Sequence, residues 1–407
     1  MYNNTEEVNK LKILCVNAGS SSLKFQVYEM PEEKVLVSGY IEKIGQKDSF
    51  WTTKLNGEKI KKEKYLKNHT EAVDVLINEL LEHKIVKKLD EIKGIGHRVL
   101  HGGEKYADSV LITDKVIDDI VELTKLGPLH HPGNLAGIRA MKKALPDVPN
   151  VAVFDTAFHQ TMPKENFIYP VPYSWYTDYG VRKYGFHGTS HKYITTTMKE
   201  KLKKEDPNLI ICHVGSGASI ACVKDGKCYD TTMGLTPLDG LMMGTRSGSI
   251  DPSILQYVMK ESGKDIDEVT NELNKNSGFE GVCGKSDCRD VESLALEGDE
   301  NAKLAIDMYC DRIAKYIADY YVELEGNVDA IVMTAGVLEN GAYMRKEIIK
   351  RLACLGLTVN DEENDKIASF KEVSEGTISG DDSKVRIMVI PTNEEIMIVK
   401  DTYELIK

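Results

Sequence analysis

Apolar residues come in short runs over the first third of the chain. Residues 11–16 form one run, 22–28 alternate apolar with polar, and 35–44 are rich in β-formers, so each predicts a strand. From 70 to 85 the period lengthens: Val73, Leu76, Ile77 and Leu80 share a helical face, with Thr70 placed as N-cap. Residues 94–100 and 150–154 predict strands, separated by helices over 116–126 and 135–145. A second cycle begins at 209. Strands are predicted over 209–214, 219–224 and 227–232, the last two joined by an Asp225-Gly226 hairpin turn. Helices follow at 252–261 and 266–275. A longer one covers 300–324, with Ala302, Leu304, Ile306, Tyr309, Ile313, Tyr316, Ile317, Tyr320 and Leu324 on a broad apolar face. The pattern closes with a strand at 329–334, a helix at 342–354, a polar surface loop at 371–384, a strand at 386–390 and a helix from 394 to 405. A meander followed by alternating helices and strands is the mark of the α/β class.

The two cycles superpose without a gap. Residues 15–27 over 211–223 set Gly19 on Gly215, Ser20 on Ser216 and Val27 on Val223. Each half reads strand, small-residue turn, strand, which predicts a duplicated domain. The length of 407 residues has room for two or three domains. Lys+Arg number 52 against 64 Asp+Glu, a formal charge of −12, which argues against a nucleic-acid surface while leaving room for a locally basic anion site. No apolar run reaches the ~18 residues of a membrane helix, and the N-terminal residues lack the basic and apolar regions of a signal peptide. The eight cysteines contain no CxxC pair and several lie in apolar runs, as in a reduced cytosolic protein. Histidines concentrate between His97 and His213 without zinc-finger or HExxH spacing.

Both Gly/Ser turns follow an apolar strand, so backbone N–H groups and hydroxyls can approach a phosphate closely, with Lys24 placed to add charge at the first. Either turn alone also reads as an ordinary hairpin, and neither is a Walker A loop. Asp155 directly follows the 151–154 run, which puts a carboxylate at the mouth of an α/β cleft or makes it an N-cap. His187 lies among small residues in Lys183-Tyr-Gly-Phe-His-Gly-Thr-Ser-His191 and, read alone, is more often a satisfied core histidine. Arg98 and Arg246 each stand near glycines. Arginine binds carboxylate or phosphate in a fork, and each also reads as a salt-bridge partner. Asp287-Cys-Arg289, Gly336-Val-Leu-Glu-Asn340 and Pro391-Thr-Asn-Glu-Glu395 complete the set. The Gly336 segment lies between a strand and a helix, where a nucleotide can rest.

Taken together, seven segments resemble the acetate kinase family, grouped with the actin, hexokinase and Hsp70 ATPases. They are Asn17-Ala-Gly-Ser-Ser-Ser-Leu-Lys-Phe25, His97-Arg-Val-Leu-His-Gly-Gly103, Pro128-Leu-His-His-Pro132, Phe154-Asp-Thr-Ala-Phe-His159, Tyr184-Gly-Phe-His-Gly-Thr-Ser-His191, Met243-Gly-Thr-Arg-Ser-Gly248 and Pro391-Thr-Asn-Glu-Glu395. The resemblance implies a duplicated actin/hexokinase-like (ribonuclease H-like) α/β fold with the active site in the cleft between two domains. These would be 1–155, with a closing helix at about 394–407 packed back on it, and 156–393, which binds nucleotide. It implies ATP + acetate ⇌ ADP + acetyl phosphate by direct in-line displacement, with Mg²⁺ (Mn²⁺ able to substitute) and ATP/ADP as co-substrate. By resemblance Asp155, His187 and Arg246 are catalytic, and Asn17 and Glu394 are associated with the metal. Arg98 meets the acetate carboxylate, and Val99, Leu129, Phe186 and Pro237 surround its methyl group. Lys24, His213, Val214, Gly215, Ser216, Gly217, Asp287, Cys288, Arg289, Gly336, Val337, Leu338, Glu339 and Asn340 contact nucleotide. A cytoplasmic homodimer without nucleic-acid or membrane partners is implied as well.

Several positions depart from the family pattern. Ser216 replaces an amide, Leu338 stands where a glycine is expected, Cys288 replaces a larger side chain, and Ser249 replaces an Asp. From these the sequence predicts that Leu338 touches the base or ribose and relaxes base selectivity. Propionate is expected as a slower substrate, since one methylene discriminates by only ~1–3 kcal/mol. The competing class is a nucleotide-driven switch of the Hsp70 or actin kind. The absence of an added peptide-binding domain or linker in this sequence argues against it.

Overall fold

The structure, a computed structural model, describes residues 10–407; the N-terminal residues read for a leader lie outside the described residues. The chain divides into two compact units. One runs to Ala157 and takes in Asn393–Lys407, and the other is Phe158–Thr392.

The first unit is built on β1 (Leu11–Ala18), β2 (Ser22–Met30), β3 (Lys34–Glu42), β4 (Phe50–Leu55), β5 (Glu58–Glu63), β6 (Ile92–Val99), β7 (Val110–Leu111) and β8 (Asn150–Phe154). They form one sheet in the order β5-β4-β3-β2-β1-β6-β8-β7. The meander β1–β5 is antiparallel, whereas β1, β6 and β8 run parallel. A parallel strand is covered on both faces and needs no polar side, and β8 is accordingly buried at every position. Leu14, Val16, Phe25 and Val27 form the core with Val73, Leu76 and Leu80 of the helix His69–Glu82. That helix starts earlier than Thr70 predicts: Asn68 is extended and its side chain accepts the Glu71 N–H, which makes Asn68 the cap.

Two glycines position the C-terminal helix Glu394–Ile406. A Cβ on Gly94 would lie 2.5 Å from Ile406 Cδ1, and one on Gly96 would lie 2.6 Å from Ile398 Cγ2. Alternate residues of a strand share a face, so these two bare positions on β6 let the helix lie flat on the sheet. Its first residue, Glu394, thereby reaches the end of β6, where Arg98 stands.

The second unit contains β9 (Leu209–Val214), β10 (Ala218–Lys224), β11 (Lys227–Thr231), β12 (Ala330–Thr334), β13 (Gly376–Thr377) and β14 (Arg386–Val389), in the order β11-β10-β9-β12-β14-β13. The β10–β11 turn is Asp225-Gly226 with both residues at positive φ, as a two-residue hairpin loop demands. Strands β9 and β12 are wholly buried and parallel to each other. The long helix Glu300–Glu323, capped by Asp299, buries Ala302, Ile306, Tyr309, Ile313, Ile317 and Tyr320; Leu304, read as part of that face, is exposed.

The strand run β3-β2-β1-β6-β8 of the first unit recurs as β11-β10-β9-β12-β14 in the second, with the same mixture of antiparallel and parallel pairs. The molecule is a duplicated α/β fold of the actin/hexokinase type. Sequence patterning misses the β4–β5 hairpin and the helix Gly188–Leu202, and it runs the helix Ala342–Lys350 four residues too far. Among the described residues no helix is long and apolar enough to cross a membrane.

Candidate active site

In the first unit the carboxyl ends of three parallel strands carry Asn17, Arg98 and Asp155, the place where open α/β sheets present their ligand-binding groups. Asp155 follows β8, and its N–H donates to the Val99 carbonyl at 3.0 Å, which pins it to the sheet. Its carboxylate is 1% exposed and accepts from Arg98 Nε at 3.0 Å to each oxygen and from Nη2 at 2.7 Å. Arg98 Nη1 also lies 3.5 Å from Glu394 Oε2. Burial raises the Asp155 carboxyl from its ordinary value, opposed by the Arg98 charge and hydrogen bonds. Burial alone would lower Arg98, but the charges of Asp155 and Glu394 overcome it and hold the guanidinium ionised.

Two histidines of this unit's motifs, His97 and His131, serve the scaffold, whereas His130 is exposed and its charge acts on Asp155. His97 Nε2 pairs with Asn150 Oδ1 at 2.7 Å, and burial pushes its pKa down to about 4. His131 accepts the His101 N–H at Nε2 and donates from Nδ1 to the Ile120 carbonyl. Lys24 pairs with Asn17 across β1–β2, and both line a cleft of about 410 Å³ with Cys15, Tyr40, Lys54 and Glu395. Thus Glu395, which the sequence reading passed over, shares the Asn17 cleft, while Glu394 faces Arg98. Val99 is fully buried against Ile112, Ile120, Leu135 and Phe154; Leu129 is largely exposed.

In the second unit His187 caps the helix Gly188–Leu202 from a left-handed conformation, φ 57°. Its Nδ1 is 3.1 Å from Ser219 Oγ, and its ring is 4.2 Å from that of His213, the counterpart of Asn17 in the repeat. The turn at 215–217 lies beneath. A Cβ on Gly217 would stand 3.4 Å from His187 Nε2 and 3.5 Å from Arg246 Nη1. The imidazole and the guanidinium therefore converge over a bare backbone position. Arg246 donates to the Pro237 carbonyl at 3.1 Å, and among the described residues it has no carboxylate partner; burial alone lowers its pKa. A half-buried guanidinium with no carboxylate partner, beside an imidazole and above a glycine turn, has the chemistry to receive an anion. Phe186, one residue earlier, is fully buried, and its carbonyl accepts from His159 Nε2 at 2.9 Å.

A cleft of about 750 Å³ opens from the same turn. Of the residues singled out for nucleotide, Gly215, Ser216, Asp287, Cys288, Arg289, Gly336, Val337 and Asn340 line it. Phe279, Glu292, Tyr343 and Phe370 are among the other residues that line it, and the sequence gives no sign of them. Asp287 caps the helix Cys288–Glu297 and takes Arg289 in a forked pair, which holds its carboxyl at about 2. Val214 is buried in β9, and the His213 ring packs tilted against that of His187.

Residues 12–400 match the model of the acetokinase family. The chain belongs to the acetokinase family. An acetate kinase of Bacillus cytotoxicus is 52% identical over 97% of this chain and 98% of its own length. Among solved structures, a propionate kinase from Francisella tularensis is 44% identical with a TM-score of 0.92, covering 97% of this chain and 100% of its own. Acetate kinase from Porphyromonas gingivalis is 42% identical with a TM-score of 0.92, over 98% and 100%. As an acetokinase, the chain is a phosphotransferase that takes ATP/ADP as co-substrate and works with a divalent cation.

The other six residues that the resemblance gives to nucleotide, Lys24, His213, Val214, Gly217, Leu338 and Glu339, do not line the cleft of about 750 Å³. Leu338, expected at the base or ribose, is instead fully buried. The segment after β12 is a helix, Ala335–Asn340, and not an open loop. On it Gly336, Val337 and Asn340 border the cleft, whereas Leu338 turns into the core. Its neighbour Glu339 is also buried, its Oε1 accepting the N–H groups of Ala335 and Thr392. The fully buried Arg345 holds the far end of that helix by donating to the carbonyls of Leu338 and Glu339.

Among the described residues no group of three or more His, Cys, Asp or Glu side chains is placed to hold a metal. Mg²⁺ needs no such cage: it keeps several waters and takes one or two carboxylates together with substrate phosphates. The hard oxygens of Asn17, Glu394 and Glu395 fit that requirement.

Proposed function

We propose that this chain is a Mg²⁺-dependent acetate kinase that moves the γ-phosphoryl group of ATP to acetate, and back, by direct in-line displacement. The observation that carries the reading is the convergence of His187 Nε2 and Arg246 Nη1 over Gly217, in the unit whose cleft is lined by eight of the residues marked for nucleotide.

Acetate is already ionised at pH 7 and needs little help to become a nucleophile. An acetate oxygen forms the new bond to the γ-phosphorus, the bond from that phosphorus to the ADP oxygen breaks, and ADP leaves with the electron pair. The obstacle is alignment and charge repulsion, so catalysis lies in positioning and in positive groups on the phosphoryl oxygens. His187 and Arg246 supply donors there. Arg98 receives the acetate carboxylate, and Asp155 and Glu394 hold that guanidinium ionised and in place. Val99, Leu129, Phe186 and Pro237 limit the acyl group. Asn17 and Glu394, with Glu395, would hold the Mg²⁺, which when bound screens the phosphate charges. Lys24 adds a positive charge beside Asn17.

Propionate remains the second substrate, because a structural relative at 44% identity bears the name propionate kinase. A cytoplasmic homodimer belongs to the same proposal; an exposed strip along the long helix, bearing Lys315, Tyr316 and Val322, gives it a surface. Initial rates with acetate, propionate and butyrate, each with ATP and with GTP, test the reading. Acetate with ATP should be fastest, propionate slower and butyrate slowest. Equal rates for all three acids would remove the acyl pocket from the account.

A further inference from the structure

Ser219 is fully buried at the start of β10, directly across from His213 in the strand register. Its hydroxyl lies between two rings of one helix: His191 Nε2 at 2.8 Å and His187 Nδ1 at 3.1 Å. One hydroxyl can donate only once, so the two contacts constrain each other. His191 decides the direction. It has no exposed surface, its Nδ1 has no hydrogen-bond partner, and burial holds the ring neutral. A buried N–H without an acceptor is costlier than an unused lone pair in the same place. The single proton of His191 therefore belongs on Nε2, from which it donates to Ser219 Oγ. The Ser219 O–H is then free to donate to His187 Nδ1.

We infer that Ser219 is a positioning residue that fixes His187 as the neutral Nε2–H tautomer, so that His187 presents an N–H donor toward Gly217 without needing to be an imidazolium. The inference rests on the proposed role of His187 in phosphoryl transfer. The chain runs His191 Nε2–H to Ser219 Oγ, Ser219 O–H to His187 Nδ1, and His187 Nε2–H to a phosphoryl oxygen. The left-handed backbone of His187 and the bond from the His191 N–H to the His187 carbonyl, 3.0 Å, hold both rings within reach of the one hydroxyl.

The test is the ¹⁵N spectrum of the full chain labelled in histidine, assigned with His187→Gln and His191→Gln. At neutral pH the His187 signal should show a protonated Nε2 and a bare Nδ1; a protonated Nδ1, or an imidazolium, overturns the inference whatever the kinetics. In Ser219→Ala that signal should become a mixture of tautomers. Its kcat should fall about ten-fold, the loss of one aligned hydrogen bond, with KM for acetate and ATP within two-fold of wild type. Ser219→Ala with a lower Tm but unchanged kcat and tautomer would leave Ser219 a merely structural residue and likewise overturn it. If instead the wild-type tautomer is as stated but His187→Gln keeps full kcat, the relay stands and the catalytic role of His187 fails.

Discussion

Arg98 grips Asp155 through a fork, with Nε 3.0 Å from both carboxylate oxygens and Nη2 2.7 Å from Oδ2. The carboxylate is buried and the guanidinium three-quarters so, which means that neither charge can be removed alone without stranding the other.

Arg98→Ala should therefore lose both stability and acetate binding. Breaking one side of a buried pair costs about 3–5 kcal/mol, visible as a lower midpoint in urea. The KM for acetate should rise and kcat fall, with a smaller effect on ATP. The double variant Arg98→Ala/Asp155→Ala should regain part of the stability and none of the activity. If ATP binding collapses while acetate kinetics hold, Arg98 is a nucleotide residue.

His187→Ala and Arg246→Ala should each lower kcat by about 100-fold or more, the scale for removing one preorganised donor to developing charge. Nucleotide KM should change little, because the cleft lies beyond the turn. Near-normal kcat in a less stable protein would assign both residues to the fold.

Gly336 and Leu338 sit two residues apart on one helix and should respond in opposite ways. A Cβ at Gly336 meets nothing within 4 Å. Gly336→Ala should thus fold at least as well as wild type, since alanine favours a helix by up to ~1 kcal/mol. It should nevertheless raise the KM for ATP about ten-fold, one ~1.4 kcal/mol clash with a closely held ligand. Leu338→Gly should destabilise by about 2–5 kcal/mol, the cost of emptying a core site, and leave the ATP:GTP preference alone. A changed base preference in Leu338→Gly would restore the sequence-based expectation.

Acid should weaken the fold through two buried histidines. His97 in one unit and His159 in the other are buried, and burial pushes each from 6.5 down to about 4, only partly offset by a side-chain amide and a carbonyl respectively. Between those values the rings are neutral when folded and charged when unfolded. The unfolded state then binds more protons, so stability is full above about pH 6.5 and falls as the pH drops toward 4. Each histidine adds up to about 1.4 kcal/mol per pH unit. Urea midpoints measured from pH 7.5 to 4.5 check this, and a flat profile from 6.5 to 5 would contradict it.

The parallel strands were legible because burial on both faces leaves a plain apolar run, as in residues 150–154 and 209–214. The strand Glu58–Glu63 was not: it reads Glu-Lys-Ile-Lys-Lys-Glu at a sheet edge, with only Ile60 and Lys62 half-buried, so no apolar period marks it. The helix Gly188–Leu202 was hidden by its Thr195–Thr197 run and by a non-glycine residue at its left-handed cap. At the site, Asn17, Arg98 and Asp155 are legible as strand-end positions, since the sheet dictates where a strand's last side chain goes. Leu338 is not legible as a core residue, because a glycine-containing segment between a strand and a helix reads as a loop; in the helix Ala335–Asn340, positions 336 and 338 lie about 200° apart around the axis, and the buried one is 338. Ser219 offered no sequence signal, for its importance comes from two histidines brought together by a helix turn.

The most direct measurement is acyl phosphate trapping with hydroxylamine, using the purified chain with ATP, Mg²⁺ and acetate. Acetyl hydroxamate should accumulate with acetate and ATP both present, match the ADP formed, and drop about 100-fold in Arg246→Ala. ADP released at the same rate with and without acetate, and no hydroxamate, would mean that the chain hydrolyses nucleotide without passing phosphate to a carboxylate.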